Sequence, residues 1–276
     1  MTPTRRAALL ALAAAPLAAA APPAPVEVAY GPHPRHRLDL YPRPGLARAP
    51  MLLFVHGGGW RFGDKRGVGA LPAFAERHGL LLASANYRLA PEVNARGCAE
   101  DVAAAAAWLL AHGAEHGGDP ARLFLMGHSA GAHLVALVGV DPAYLAARGR
   151  KPSDLAGVIP VDGAGYDAPR QMADEGGGPL LGPMYQGAFG TEAAALSPTL
   201  LVRPGRAYPP YLIFHVARRR TSREQSEALA AALRAAGGRA EVVAGPGETH
   251  MTINRSMGEP GDPEGERAAR FILQGR

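Results

Sequence analysis

An α/β fold built on a mostly parallel sheet is predicted by three features of the 276-residue sequence. Short continuous apolar runs, which suit strands covered on both faces, alternate with longer stretches of helical periodicity. Two of those runs stop abruptly at glycine-rich turns: 51–56 at Gly57-Gly58-Gly59, and 123–126 at Gly127-His128-Ser129-Ala130-Gly131. Neither an internal repeat nor a long linker divides the chain, so residues 22–276 read as one domain.

Residues 1–21 read as a signal peptide rather than as fold. Arg5 and Arg6 precede an alanine/leucine run over 7–17, and small residues at 18–21 offer a cleavage site. Thr4-Arg5-Arg6 also resembles a twin-arginine signal, and no cysteine follows the run to carry a lipid. Export to the periplasm or medium is therefore expected. The run is too short for permanent membrane insertion.

Residues 26–30 and 36–41 read as two strands joined by a Gly/Pro-rich turn. The runs 51–56 and 80–85 suit buried parallel strands, with a short helix over 71–78 between them. A helix carrying Trp108, Leu109 and Leu110 covers 98–111, followed by a strand at 123–126 and a helix at 130–138. Later strands fall at 158–161, 211–215 and 240–243. A helix over 223–236 separates the last two, and another over 267–273 closes the chain. The stretch 166–210 is rich in glycine and proline and shows little periodicity. It reads as a loop-rich lid or cover, or equally as a surface excursion.

Composition narrows the chemistry. Apolar residues at 47% and charged residues at 19% exclude a disordered chain. The single cysteine, Cys98, excludes a disulfide framework and a cysteine-based zinc site. All basic side chains but Lys65 and Lys151 are arginine, scattered along the chain, so the net charge of +5 is no nucleic-acid footprint. His112 and His116 lack zincin spacing and read as a solvated helix end.

Gly127-His128-Ser129-Ala130-Gly131 lies between a strand and a helix, the setting in which Gly-x-Ser-x-Gly lifts a serine hydroxyl above the sheet. The glycines after His56 leave backbone N–H groups open toward a developing oxyanion. His250 follows the last strand through Gly245-Pro246-Gly247 and precedes the C-terminal helix.

Four segments carry a resemblance that runs from about residue 26 to the C-terminus. They are His56-Gly57-Gly58-Gly59-Trp60, Asn86-Tyr87-Arg88-Leu89-Ala90-Pro91-Glu92, Gly118-Asp119-Pro120 and residues 127–134. The sequence resembles α/β-hydrolase-fold serine esterases with an HGGGW oxyanion motif. It is most similar to the branch of small carboxylesterases, feruloyl-esterase-like proteins and kynurenine formamidases. The resemblance implies Ser129 as nucleophile, with Gly58, Gly59 and Ala130 forming the oxyanion hole. The triad order of the fold family, nucleophile then acid then histidine, implies His250 as the base. It implies an acyl-enzyme route without metal or organic cofactor, on a small-molecule ester. A kynurenine formamidase-like amide hydrolase is the alternative, with export counting against it. Trp60 is expected beside the substrate, while Tyr185 is read as packing.

One departure from the family stands out. The family places an aspartate just after the seventh strand, and alignment on Gln225-Ser226 puts Arg218 there. An arginine beside the base disfavours its imidazolium. Three readings stay open: Asp162, after the strand at 158–161, replaces the acid; Ser129 and His250 act as a dyad; or the chain is a degenerate scaffold that binds without catalysis. Glu224 opens a helix and is read as serving its N-terminus.

Overall fold

Side chains alternate across the central strands, and each face of the sheet carries its own apolar layer. The computed structural model describes residues 24–274 apart from 43, 177 and 180, so the expected signal segment lies outside the described residues. Among these, eight strands form one sheet: β1 Val26–Ala29, β2 Arg37–Tyr41, β3 Ala49–Val55, β4 Leu81–Ala85, β5 Gly118–His128, β6 Leu155–Val161, β7 Tyr211–Val216 and β8 Ala240–Gly245. Their spatial order is β1-β2-β4-β3-β5-β6-β7-β8. β1–β2 and β2–β4 pair antiparallel, and the remaining pairs are parallel.

The helices are α1 Leu71–His78, α2 Ala95–His112, α3 Ala130–Val140, α4 Pro142–Ala146, α5 Ala168–Glu175, α6 Leu181–Phe189, α7 Pro198–Leu201, α8 Arg220–Ala235, α9 Thr252–Arg255 and α10 Pro263–Gln274. Leu53 and Val55 of β3, Leu125 of β5 and Ile213 of β7 face the layer made by α2, α3 and α8. Their sequence neighbours Leu52, Phe54, Phe124, Met126, Leu212 and Phe214 face α1 and α10 instead. Both faces are dry, which is why these strands read as unbroken apolar runs. No helix among the described residues is long and apolar enough to cross a membrane.

Two local differences from the expected elements have physical causes. Helix α2 starts three residues early because the Asn94 side chain accepts from the N–H groups of Arg96 and Gly97. The 166–210 stretch is helical in short pieces, and two of its prolines open helices instead of breaking them. Pro169 lies in the first turn of α5 and Pro198 in that of α7. In α6, Tyr185, Ala188 and Phe189 are buried together, a single helical stripe too brief to register as periodicity.

The crossing of α3 over β3 fixes the geometry at the centre. Every residue of α3 is buried, and a Cβ on Gly131 would stand 2.1 Å from the Val55 carbonyl oxygen. That oxygen belongs to backbone and has nowhere to go. We therefore expect Gly131→Ala to destabilise the protein by about 1–3 kcal/mol, since overpacking outweighs the ~1 kcal/mol gained in helix propensity. Gly187, inside α6, meets nothing within 4 Å, so Gly187→Ala should be neutral or stabilising. Urea unfolding of the two variants checks the contrast, and equal effects would refute the packing argument.

Candidate active site

The parallel strands end on one edge of the sheet, and Ser129 and Asp162 are the first residues past the ends of neighbouring strands β5 and β6. Both hold positive φ, 56° at Ser129 and 45° at Asp162, a conformation that costs a non-glycine residue roughly 1–3 kcal/mol. Backbone hydrogen bonds keep them there. The Ser129 N–H donates to Val161 O at 3.0 Å, and the Asp162 N–H to Phe214 O at 2.8 Å. Ser129 is half-buried at the mouth of α3, its hydroxyl turned away from the sheet toward the loop that follows β8.

His250, on that loop, completes a line of three side chains. Its Nε2 lies 3.0 Å from Ser129 Oγ, and its Nδ1 lies 2.6 Å from Asp162 Oδ2. The loop is anchored from below, because His128 donates its Nε2–H to the His250 carbonyl at 2.7 Å. Sequence reasoning passed over His128, although its place inside the Gly-x-Ser-x-Gly turn was the available signal. Burial pushes the His128 imidazole down to about 4, helped by the neighbouring His250, so it stays neutral.

Asp162 is fully buried and fully satisfied. Oδ1 accepts from the Val216 N–H at 3.0 Å and from Ser222 Oγ at 2.6 Å. Oδ2 accepts from His250 and from Arg219 Nη1. Burial alone would raise its carboxyl. The donors from His250, Arg219, Ser222 and Val216 outweigh that and hold it well below the ordinary range. The arginine that meets the site is thus Arg219 and not Arg218, which is exposed. In the turn after β7, Arg218 and Arg220 are exposed while Arg219 turns toward Asp162. Glu224 pairs with Arg170 and Arg220 on the outer face of α8, away from His250.

The loop after β3 supplies the remaining parts. Gly58 has φ 118°, a value only glycine adopts freely, and its carbonyl takes the N–H groups of Arg61 and Phe62. The amides of Gly58, Gly59 and Ala130 have no protein acceptor among the described residues, which suits them to an oxyanion. Tyr87 donates to His56 O at 3.0 Å, and Arg88 grips buried Asp101 of α2 with two nitrogens, so the 86–92 motif braces this loop.

Trp60 lines the cavity side of the glycine loop and is locked in place by packing. Its ring is 1% exposed and its indole N–H donates to His133 Nδ1 at 3.3 Å, while His133 donates from Nε2 to Leu196 O. Burial pushes His133 down to about 4, leaving it neutral in this chain of contacts. Trp60 therefore ties the glycine loop to α3 and to the 166–210 segment. It also lines the cavity over Ser129. An indole needs a partner for its N–H when buried, and His133 was the one available.

A cavity of about 540 Å³ opens over Ser129. Gly58, Gly59, His250 and Arg219 line it, and Glu175, Met184 and Tyr185 reach it from the 166–210 segment. Phe62, Leu181 and Met251 are exposed at its edge. Among the described residues no group of three or more His, Cys, Asp or Glu side chains is placed to hold a metal. His112 meets Glu115 and the ring of Trp108.

Residues 52–254 match the family model described as alpha/beta hydrolase fold. A curated relative, the isoprenylcysteine alpha-carbonyl methylesterase of Arabidopsis thaliana, is 27% identical over 82% of this chain and 56% of its own length. A probable carboxylic ester hydrolase of Mycobacterium tuberculosis is 36% identical over 42% of this chain. The chain spans about a quarter of the length of the first curated relatives it matches, 24% and 26%. Among solved structures, a butyrate-bound esterase of Thermogutta terrifontis superposes with TM-score 0.71 at 24% identity, covering 90% of this chain and 92% of that one. Esterase B of Lactobacillus rhamnosis gives 0.72 at 24% identity, covering 90% and 83%. Both show the shared fold.

Replacing Asp162 by asparagine leaves the shape but turns one acceptor into a donor facing other donors. We expect Asp162→Asn to cost about 1–3 kcal/mol at pH 7. The wild-type carboxyl is depressed in the folded state, so its contribution is complete above the unfolded value near 4 and is lost as pH falls through the folded value. Urea titrations at pH 7 and pH 3 should therefore show the gap between wild type and variant narrowing. A constant gap would contradict the hydrogen-bond account.

Proposed function

Because the chain belongs to the alpha/beta hydrolase family, we propose that it is a serine hydrolase that cleaves small carboxylic esters through an acyl-enzyme. The observation that carries this reading is the line Ser129–His250–Asp162, with separations of 3.0 and 2.6 Å, beneath a cavity flanked by free amides. His250 accepts the Ser129 proton as Oγ attacks the ester carbonyl. Asp162 holds the imidazole with Nδ1–H toward itself and Nε2 toward the serine. The Gly58, Gly59 and Ala130 amides stabilise the tetrahedral oxyanion. His250 then protonates the leaving alcohol, and water releases the acyl group by the same path.

A completed set of three side chains supports catalysis over a dyad or a binding-only scaffold. The apolar edge made by Phe62, Leu181 and Met251 supports a small ester with an apolar acyl or alcohol part. The names of the relatives agree with ester hydrolysis as the reaction class. Export belongs to the same proposal on the strength of Arg5, Arg6 and the apolar run after them, and fractionation of cells producing the tagged full-length chain tests it.

Labelling with a fluorophosphonate and turnover of p-nitrophenyl butyrate test the chemistry. We expect Ser129→Ala to abolish labelling and to lower kcat by about 10⁶, and Asp162→Asn to lower it by about 10²–10⁴. Wild type that labels no better than Ser129→Ala would sink the enzyme. A large preference for formylkynurenine over the ester would move the reaction to amide hydrolysis.

A further inference from the structure

The guanidinium of Arg219 stands where ester hydrolysis does not call for a cation. Its Nη1 reaches Asp162 Oδ2, the oxygen that also faces His250 Nδ1, and lies 2.8 Å from Nδ1 itself. An arginine nitrogen has only hydrogens to offer. While His250 carries its hydrogen on Nδ1, the approach of Arg219 to it is therefore a meeting of two donors over one acceptor. Oδ1 gives no relief, because Val216 and Ser222 already occupy it.

The other groups around His250 do not cancel this charge. From the end of β5, His128 packs its ring 4.6 Å from that of His250 and is held neutral by burial. Tyr166, buried beside Asp162, is raised well above its ordinary value by burial first and then by the carboxylate, so it too is neutral. Glu175 on α5 shares the cavity, is held below its ordinary value in part by Arg219 and offsets only part of the guanidinium's charge, while its Oε2 accepts from Gln171 and Tyr185. Ser129 completes the surroundings of the ring.

We propose that Arg219 is a positioning residue that keeps Asp162 ionised and competes with His250 for it, so that His250 sheds its proton more readily and turnover extends to lower pH. When the imidazole takes the serine proton it becomes a cation beside a cation, and part of the stabilisation from Asp162 is already committed to the guanidinium. The consequence is a weaker base that remains unprotonated further into acid. One third of the Arg219 side chain is exposed, so shortening or neutralising it leaves space for water and not a void in the core.

The kinetic arm of the test rests on the serine-hydrolase reading above, while the spectroscopic arm does not. Arg219→Gln and Arg219→Met remove the charge, and Arg219→Lys keeps it. The His250 ring signal, assigned by its loss in His250→Gln, is titrated by NMR in the full chain without substrate, and kcat/KM for p-nitrophenyl butyrate is measured against pH. In the Gln and Met variants both the ring titration midpoint and the acid limb should move up by about one pH unit, and in the Lys variant both should stay near wild type. Midpoints in Gln and Met that coincide with wild type would overturn the proposal, as would an equal shift in Lys. A wild type that titrates as expected but hydrolyses no ester would refute the enzyme reading and leave the role of Arg219 standing.

Discussion

The carboxylate of Asp162 is the knot that ties five segments of the chain together. It caps the end of β6, takes a backbone N–H from the end of β7, a hydroxyl from the first turns of α8, a guanidinium from the turn between them, and the imidazole from the loop after β8. A charge buried this completely is tolerable only when every lone pair is used and a counter-charge is close. Both conditions are met. The sheet order makes them possible, because β6 lies between the strand that carries Ser129 and the strands that lead to His250.

Backbone strain gathers on the same edge. Ser129, Asp162 and Trp60 all hold positive φ without being glycine, and all three follow the ends of central strands. Such conformations persist where the surroundings over-determine them. At Ser129 the surroundings are a wholly buried helix pressed against β3, with a glycine at the closest approach. At Trp60 they are an indole locked to His133 and edge-on to Phe189. Packing energy from the core is thereby converted into fixed directions for a hydroxyl, a carboxylate and a row of amides.

The central strands were legible because strands covered on both faces must be apolar at every position, and β3, β4, β6 and β7 left that trace in the sequence. Ser129, His250 and the glycine loop were legible through local motifs whose geometry is nearly independent of the rest of the chain. Asp162 could be named only as one of several answers, since a lone aspartate after a strand looks the same whether it caps a turn or faces a histidine. The short helices of the 166–210 segment were not legible: pieces of four to nine residues show less than three turns of periodicity. The difference between Arg218 and Arg219 is one residue in a turn, where no period exists to fix which side chain points inward.

The three buried histidines that brace the site carry a further consequence for the molecule as a whole. His56, His128 and His133 are each held near 4 by burial, against an ordinary value of 6.5. In the unfolded chain they regain the ordinary value, so between pH 6.5 and 4 the open chain binds up to three protons that the folded one refuses. Their contribution to stability is whole above that window and drains away across it as pH falls. The scaffold that positions His250 thus includes three histidines that stay neutral at neutral pH, and mild acid loosens the fold through these neutral braces before it protonates Asp162.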